Sequence, residues 1–351
     1  MPRFRIHGSV LAALAAAGLF GASTPFAKQL LGDHSPLMVA GLLYLGSGLG
    51  LALVRLIRDR GWKSPNIPSG DWRWLFAAIV FGGAMGPALL MIGLRQTSAG
   101  TASLLLNLEA VLTALLAWVV FKENADRRIV TGMALIVVGG VVLAWPDSGA
   151  NAVGILGPLA IAGACVCWAI DNNLTRKISA SDAVFIAGVK GLSAGAVNIG
   201  LAIALGAQLP SMLIAAITGI LGFFGYGVSL VLFVVALRGL GSARTGAYFS
   251  TAPFIGAALA IGVFHEPVSA TFWIAAVSMG AGVWLHLTES HEHEHTHEVL
   301  LHSHRHTHDE HHRHTHDATW DGHEPHIHPH RHTAVTHKHP HYPDIHHRHE
   351  H

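Results

Sequence analysis

Ten times between residues 9 and 288 the chain runs for about twenty residues with almost no charge: at 9–31, 35–56, 72–94, 98–121, 128–146, 154–174, 182–206, 210–236, 243–264 and 268–288. A helix crossing a bilayer needs an apolar run of about that length, because hydrocarbon offers no partner to an unpaired backbone group. The joints hold breakers or charge, as in Asp33-His34-Ser35-Pro36, Lys122-Glu123-Asn124 and His265-Glu266-Pro267. Asp, Glu, Lys and Arg make up 12% of the chain, half the globular norm of about 25%, which excludes an ordinary soluble enzyme. A net charge of +1, with the basic residues in the joints, excludes a nucleic-acid binder. The basic start and Ala-rich run resemble a cleaved leader, but nine further apolar runs follow, so the segment reads as a retained first helix.

Lys and Arg set the expected orientation. With the N-terminus inside, the inner side collects fourteen basic residues (Arg3, Arg5, Arg55, Arg58, Arg60, Lys63, Arg73, Lys122, Arg127, Arg128, Arg176, Lys177, Arg238 and Arg244), and the outer side only Lys28 and Arg95. The expected location is a bacterial-type inner membrane, crossed many times, with the N-terminus and the C-terminal tail in the cytoplasm. Cys165 and Cys167 cannot build a disulfide framework and read as small buried residues.

The chain also matches itself. At a shift of 143, Phe81-Gly82 falls on Phe224-Gly225, Leu94-Arg95 on Leu237-Arg238, and Phe121-Lys122-Glu123 on Phe264-His265-Glu266. A slightly larger shift brings Phe20-Gly21 onto Trp168-Ala169. Five spans per copy is an odd number, so the copies enter the membrane with opposite polarity, which is the inverted-repeat plan of secondary transporters. The expected fold is an all-α integral membrane protein of ten transmembrane helices in two inverted five-helix repeats, 1–146 and 154–288. A disordered His-rich cytoplasmic tail, 289–351, follows. Gly46-Ser47-Gly48-Leu49-Gly50 and Gly188-Val189-Lys190-Gly191 suit helices packed backbone to backbone.

The run Phe20-Gly21-Ala22-Ser23-Thr24-Pro25-Phe26-Ala27-Lys28 resembles the opening motif of EamA-type members of the drug/metabolite transporter superfamily. The short-turn glutamates of Phe121-Lys122-Glu123-Asn124 and Phe264-His265-Glu266-Pro267, and Pro253, carry the same resemblance, which covers about 9–288 and leaves out the tail. It implies ten helices around a central cavity and the export of small metabolites, amino acids or drugs. Two positions depart from the family pattern. Ala110, preceded by Glu109, stands where the first repeat usually has proline, and Leu43, beside Tyr44, where an arginine is often found; the matching place in the second repeat is Lys190.

Charge inside hydrocarbon costs about 2.5–3.5 kcal/mol per residue on insertion scales, so each such group needs a partner or a cavity. Glu109 lies mid-span with Thr113 one turn on, and suits a proton-coupling group or a polar lock between helices. Lys190, with Asn198 on roughly its side, is the opposite charge and the expected partner of Glu109; snorkelling to a headgroup is the alternative. Asp171, Asn172 and Asn173 are repeat-related to Ser23-Thr24-Pro25, and with Thr24 and Tyr226 complete the candidate substrate or coupling set. Helix interruptions are expected at Pro25, Gly83, Gly86, Pro87, Gly225, Gly227 and Pro253, since paired breaks in matching places point to a transport site. Glu123 and Glu266 are expected to cap the helix that follows each.

The tail holds 24 of the 28 histidines and few apolar residues, so disorder is the expectation. His291, His293, His295, His297, His302, His304, His306, His308, His312, His314, His316, His326, His328, His330 and His332 are candidate ligands for Ni, Zn, Co or Cu. Transport itself needs no cofactor: no phosphate-binding loop occurs, and no nucleophile–base spacing suggests an enzyme. Three functions follow. The first is secondary active export of a small molecule by alternating access. The second is a transporter of, or one gated by, a divalent metal. The third is a membrane-anchored metal buffer or sensor. The expected partners are the lipid bilayer, a small-molecule substrate and divalent metal ions; the oligomeric state is left open.

Overall fold

The computed structural model describes residues 2–288 except 62–64, 66, 122–126, 146–154 and 180, together with the backbone of four tail segments. The helices are α1 (Pro2–Leu31), α2 (Pro36–Asp59), α3 (Trp72–Ala78), α4 (Gly86–Gln96), α5 (Ala99–Leu105), α6 (Leu108–Phe121) and α7 (Arg127–Ala144) in the first half. The second half holds α8 (Leu156–Ile178), α9 (Ala183–Ala204), α10 (Met212–Gly222), α11 (Ser229–Phe249), α12 (Ala252–Gly262) and α13 (Ala270–Leu287). Among the described residues, eight helical stretches are long and apolar enough to cross a membrane. The other two apolar runs are helical as well. One is α8, whose hydropathy is lowered by Asp171-Asn172-Asn173; the other is divided between the end of α11 and α12 by a turn at Ser250–Thr251. The chain is thus an all-α multi-pass membrane protein.

Helix pairing follows the duplication. Helix α1 packs against α11 and α12 of the second half, and α8 packs against α4 and α6 of the first. The second helices of the two halves, α2 and α9, lie together, as do the fifth, α7 and α13. Close approach at α2–α9 depends on absent side chains: a Cβ on Gly191 would lie 2.5 Å from the Gly48 amide nitrogen. Backbones that approach this closely gain dispersion contacts where lipid supplies no hydrophobic drive.

Two spans are loosened at matching points. Residues Ile79–Met85 between α3 and α4, and Phe223–Val228 between α10 and α11, form π-helical turns. At the shift of 143, 79–85 falls on 222–228. Gly83, Gly225 and Gly227 lie within these turns, and Gly86-Pro87 opens α4. Pro253 lies in the first turn of α12, where the missing amide would be unpaired in any case. Pro25 requires a correction, because α1 continues through it as α-helix. Proline deprives the Gly21 carbonyl of its partner four residues on. That carbonyl faces Gly256 of α12, where a Cβ would come within 2.7 Å of the oxygen. Packing against the second half therefore holds α1 together where isolated propensity would kink it.

The tail forms a separate unit. Its described segments are the strands β1 (Glu292–His297), β2 (Leu301–His306), β3 (His326–Arg331) and β4 (Val335–Pro340), with β1 antiparallel to β4 and β2 to β3. Alternation of histidine with other residues has the two-residue period of a strand.

Candidate functional site

A pocket lies between the two halves at mid-depth, with a cavity volume of about 60 Å³. Its polar wall comes largely from α8 and α9. Lys190 Nζ donates to both Asp171 oxygens at 2.6 Å, and Thr175 Oγ1 donates to Asp171 Oδ1 at 2.9 Å. The Lys190 side chain is 1% exposed and that of Asp171 7%. Two expectations fall here. Lys190 pairs with Asp171 rather than Glu109, and it does not snorkel. The reason is depth: 171 and 190 lie at similar distances from the α8–α9 turn, and the π turn at 79–85 packs against both helices where the two side chains meet. Gly82 leaves the space for this pair, since a Cβ there would run into the Asp171 carboxylate.

Glu109 meets an amide instead. Asn172 Nδ2 donates to Glu109 Oε1 at 2.8 Å and lies 3.4 Å from Thr113 Oγ1, bridging α8 to α6. Glu109, Asp171, Asn172, Lys190 and Tyr226 all line the pocket. The other expected residues stand elsewhere. Asn173 bonds back to the Ala169 carbonyl at 2.9 Å, and Asn198 bonds to the Ala84 carbonyl at 3.2 Å, tying α9 to the π turn. Thr24 is fully buried, with no hydrogen-bond partner for its hydroxyl, and does not line the pocket.

The remaining wall is aromatic. Phe20 meets Trp168 edge-on at 5.8 Å, Tyr226 at 5.7 Å and Phe249 at 5.4 Å between ring centroids; Tyr44 meets Tyr226 at 5.3 Å and Phe233 meets Phe249 at 4.9 Å. The π turn contributes to this wall. Its Gly82 carbonyl accepts from Tyr44 Oη at 2.9 Å and Trp168 Nε1 at 3.0 Å, so the loosened helix fixes two rings. Sequence reasoning picked out Tyr226 but missed the other rings as site residues. A signal was present, because Phe20 and Trp168 occupy equivalent places in the two copies.

Polar clusters tie the helices together at both ends. At the end carrying Arg55 and Arg58, Arg58 Nη2 lies 2.5 Å from Asp182 Oδ2, and Arg55 Nε lies 3.4 Å from the same oxygen. Asp182 also caps α9 through the Val184 amide at 3.0 Å. Partial burial pushes the Asp182 carboxyl up, but the Arg58 guanidinium and the Val184 amide outweigh it and hold the group below the usual carboxylate range. Arg238 of α11 donates to the Ser179 carbonyl at 2.7 Å and also to that of Ser181. At the opposite end Glu266 accepts from the Ala99 and Gly100 amides, both at 2.8 Å, and Lys28 Nζ donates to the Leu94 carbonyl at 2.6 Å. Glu266 therefore does not cap the helix that follows it, a role taken by Ser269. It reaches into the other half, because His265 at φ 52° turns the chain there. Glu123 lies outside the described residues.

Among the described residues no group of three His, Cys, Asp or Glu side chains stands close enough to share a metal ion. The side chains of the tail histidines lie outside that set.

Comparison with known proteins decides the family. The model of the EamA-like transporter family matches residues 7–145 and again 155–288, one match per copy. The chain belongs to the EamA-like transporter family. It is 27% identical, over 76% of its own length and 82% of the relative's, to an uncharacterized transporter of Methanothermobacter thermautotrophicus. It is 34% identical to the probable 4-amino-4-deoxy-L-arabinose-phosphoundecaprenol flippase subunit ArnE of Pseudomonas paraeruginosa, over 30% of this chain and 89% of that one. It is also 30% identical to a probable amino-acid metabolite efflux pump of Salmonella typhimurium, over 32% and 33% of the two chains. A solved structure described only as the crystal structure of a protein shares the fold, with a TM-score of 0.62 at 18% identity over 79% of this chain and 94% of that one. This EamA protein is thus a membrane transporter.

Proposed function

We propose that this EamA protein is a secondary active exporter of a small organic molecule, working by alternating access around the pocket between its halves. One observation carries the reading: charged and amide side chains converge at mid-depth between two inverted copies, beside helices loosened at equivalent places. Ionisable groups kept inside a membrane at this cost usually belong to a transport path. The sequence holds no phosphate-binding loop, so we assign the driving force to an ion gradient, with Glu109 as the proton-coupling group. The relatives named for efflux and for flipping a lipid-linked sugar support the transport class. We place the Arg55 and Arg58 end in the cytoplasm of a bacterial-type inner membrane, following the asymmetry of basic residues.

The test uses proteoliposomes holding the full chain, loaded with a cell metabolite extract under a pH gradient, with the exchanged compounds read by mass spectrometry. Leu230→Trp fills the pocket from its wall and should abolish exchange, while a chain ending at Thr288 should retain it. Exchange that is indifferent to Leu230→Trp would place the path elsewhere. Radioactive nickel, cobalt or zinc flux that disappears with the tail would favour the metal reading instead.

A further inference from the structure

The pocket's charges do not cancel. Three ionisable side chains line it: Asp171, Lys190 and Glu109. Lys190 gives its ammonium to both oxygens of Asp171, and its side chain is 1% exposed. Asp171 is in turn saturated by Lys190 and Thr175. The pair is therefore internally neutral and serves as structure. Glu109 remains, lining the cavity with the Asn172 amide as its side-chain partner. A carboxylate satisfied only by a neutral amide in a low-dielectric site lacks a cation.

The rest of the wall matches such a cation. Phe20, Trp168, Tyr226 and Phe249 form a connected aromatic cluster centred on Phe20. Ring faces attract an organic ammonium, more strongly when water is excluded. An anionic ligand would meet Glu109 unscreened by Lys190, and a neutral one would leave the carboxylate unpaired. The Tyr226 hydroxyl is buried beside the Ser23 hydroxyl, which donates to the Phe20 carbonyl at 2.6 Å.

We propose that the substrate is an organic amine carried as its ammonium form, with an apolar or aromatic body. Glu109 binds the charge, the Phe20 cluster holds the body, and the Tyr226 hydroxyl meets a second polar group. The proposal rests on the reading of this pocket as the transport site.

Equilibrium binding to the full chain in nanodiscs, by calorimetry, tests it with three probes of one shape: 2-phenylethylammonium, 2-phenylethanol and 3-phenylpropionate. The ammonium probe should bind at least about tenfold more tightly than the other two. Glu109→Gln should lower affinity for the ammonium probe far more than for the alcohol and so remove that preference, and Glu109→Asp should keep it at reduced affinity. Leu230→Trp should block all three. Preference for the carboxylate or the alcohol, with binding still blocked by Leu230→Trp, overturns the amine assignment and leaves the pocket reading standing. Binding unaffected by Leu230→Trp, or no binding of any probe, overturns both. Equal loss of all three probes in both Glu109 variants assigns Glu109 a structural role and also overturns the proposal.

Discussion

At the scale of single residues, the Asp171–Lys190 pair sets the energetics of the site. Removing one partner of a buried ion pair leaves the other charge stranded, at a cost of about 3–5 kcal/mol, whereas replacing both by apolar groups is often neutral. Lys190→Met alone should therefore lower the melting temperature in detergent sharply, and adding Asp171→Leu should restore most of the loss. A double variant no more stable than the single one would count against the pair as the source of the loss. Asp182 makes the contrasting case outside the membrane. Its carboxyl is held below the ordinary value of 3.8, so its contribution is fully present above that value and fades as pH falls through the lower native one. Asp182→Ala removes both the cap and the partner of Arg58, and should cost about 1 kcal/mol near neutral pH. The gap to wild type should close only in strong acid; a gap that closes between pH 5 and 7 would point to another group. Both members of the buried pair were visible in the sequence, but not their partnership. Composition shows two carboxylates and one lysine, and only the depth of each residue in the folded bundle, with the space left at Gly82, decides between them.

Among elements, the two π turns show most directly how local sequence becomes site geometry. Glycines at 82, 83, 225 and 227 lie in the loosened stretches. The consequence of the loosening was not legible, because it depends on which distant side chains take the released carbonyl. Here Tyr44 and Trp168 share that of Gly82, while Gly82 itself admits Asp171. Gly82→Ala should therefore act on two parts of the site at once. Overpacking alone costs about 1–3 kcal/mol. Substrate binding should fall along with it, and adding Asp171→Gly should relieve the clash without restoring stability, because it strands the buried Lys190. Full recovery of binding by that double variant would show that the Asp171 carboxylate is dispensable. Pro25 teaches the converse lesson. A proline read as a break is tolerated because Gly256 lets another helix approach the carbonyl it frees, a contact far beyond the reach of local pattern.

For the whole molecule, the duplication makes the contacts between halves the determinants of conformation. Glu266, from the second half, holds the first half by the Ala99 and Gly100 amides, at the end remote from Arg55 and Arg58. Residues at the pocket lie mid-span, so this clamp and Lys28 on the Leu94 carbonyl stand between the site and that face. A hydrogen bond to a charged acceptor contributes about 1.5–3 kcal/mol, and two of them bias a two-state equilibrium by a factor of a hundred or more, in round numbers. Glu266→Ala should therefore raise the population open at that end. Spin labels at Arg95→Cys and Val263→Cys, both exposed positions, report the separation across it. The buried Cys165 is poorly placed to react, and Cys167 can be replaced by alanine. In wild type without ligand the distance distribution should be narrow; in Glu266→Ala it should gain a longer component, and Glu266→Gln, which can still accept a hydrogen bond, should fall between. Unchanged distances in both variants would mean that the clamp only decorates an end held shut by apolar packing, such as the Phe26–Phe264 ring contact at 5.2 Å.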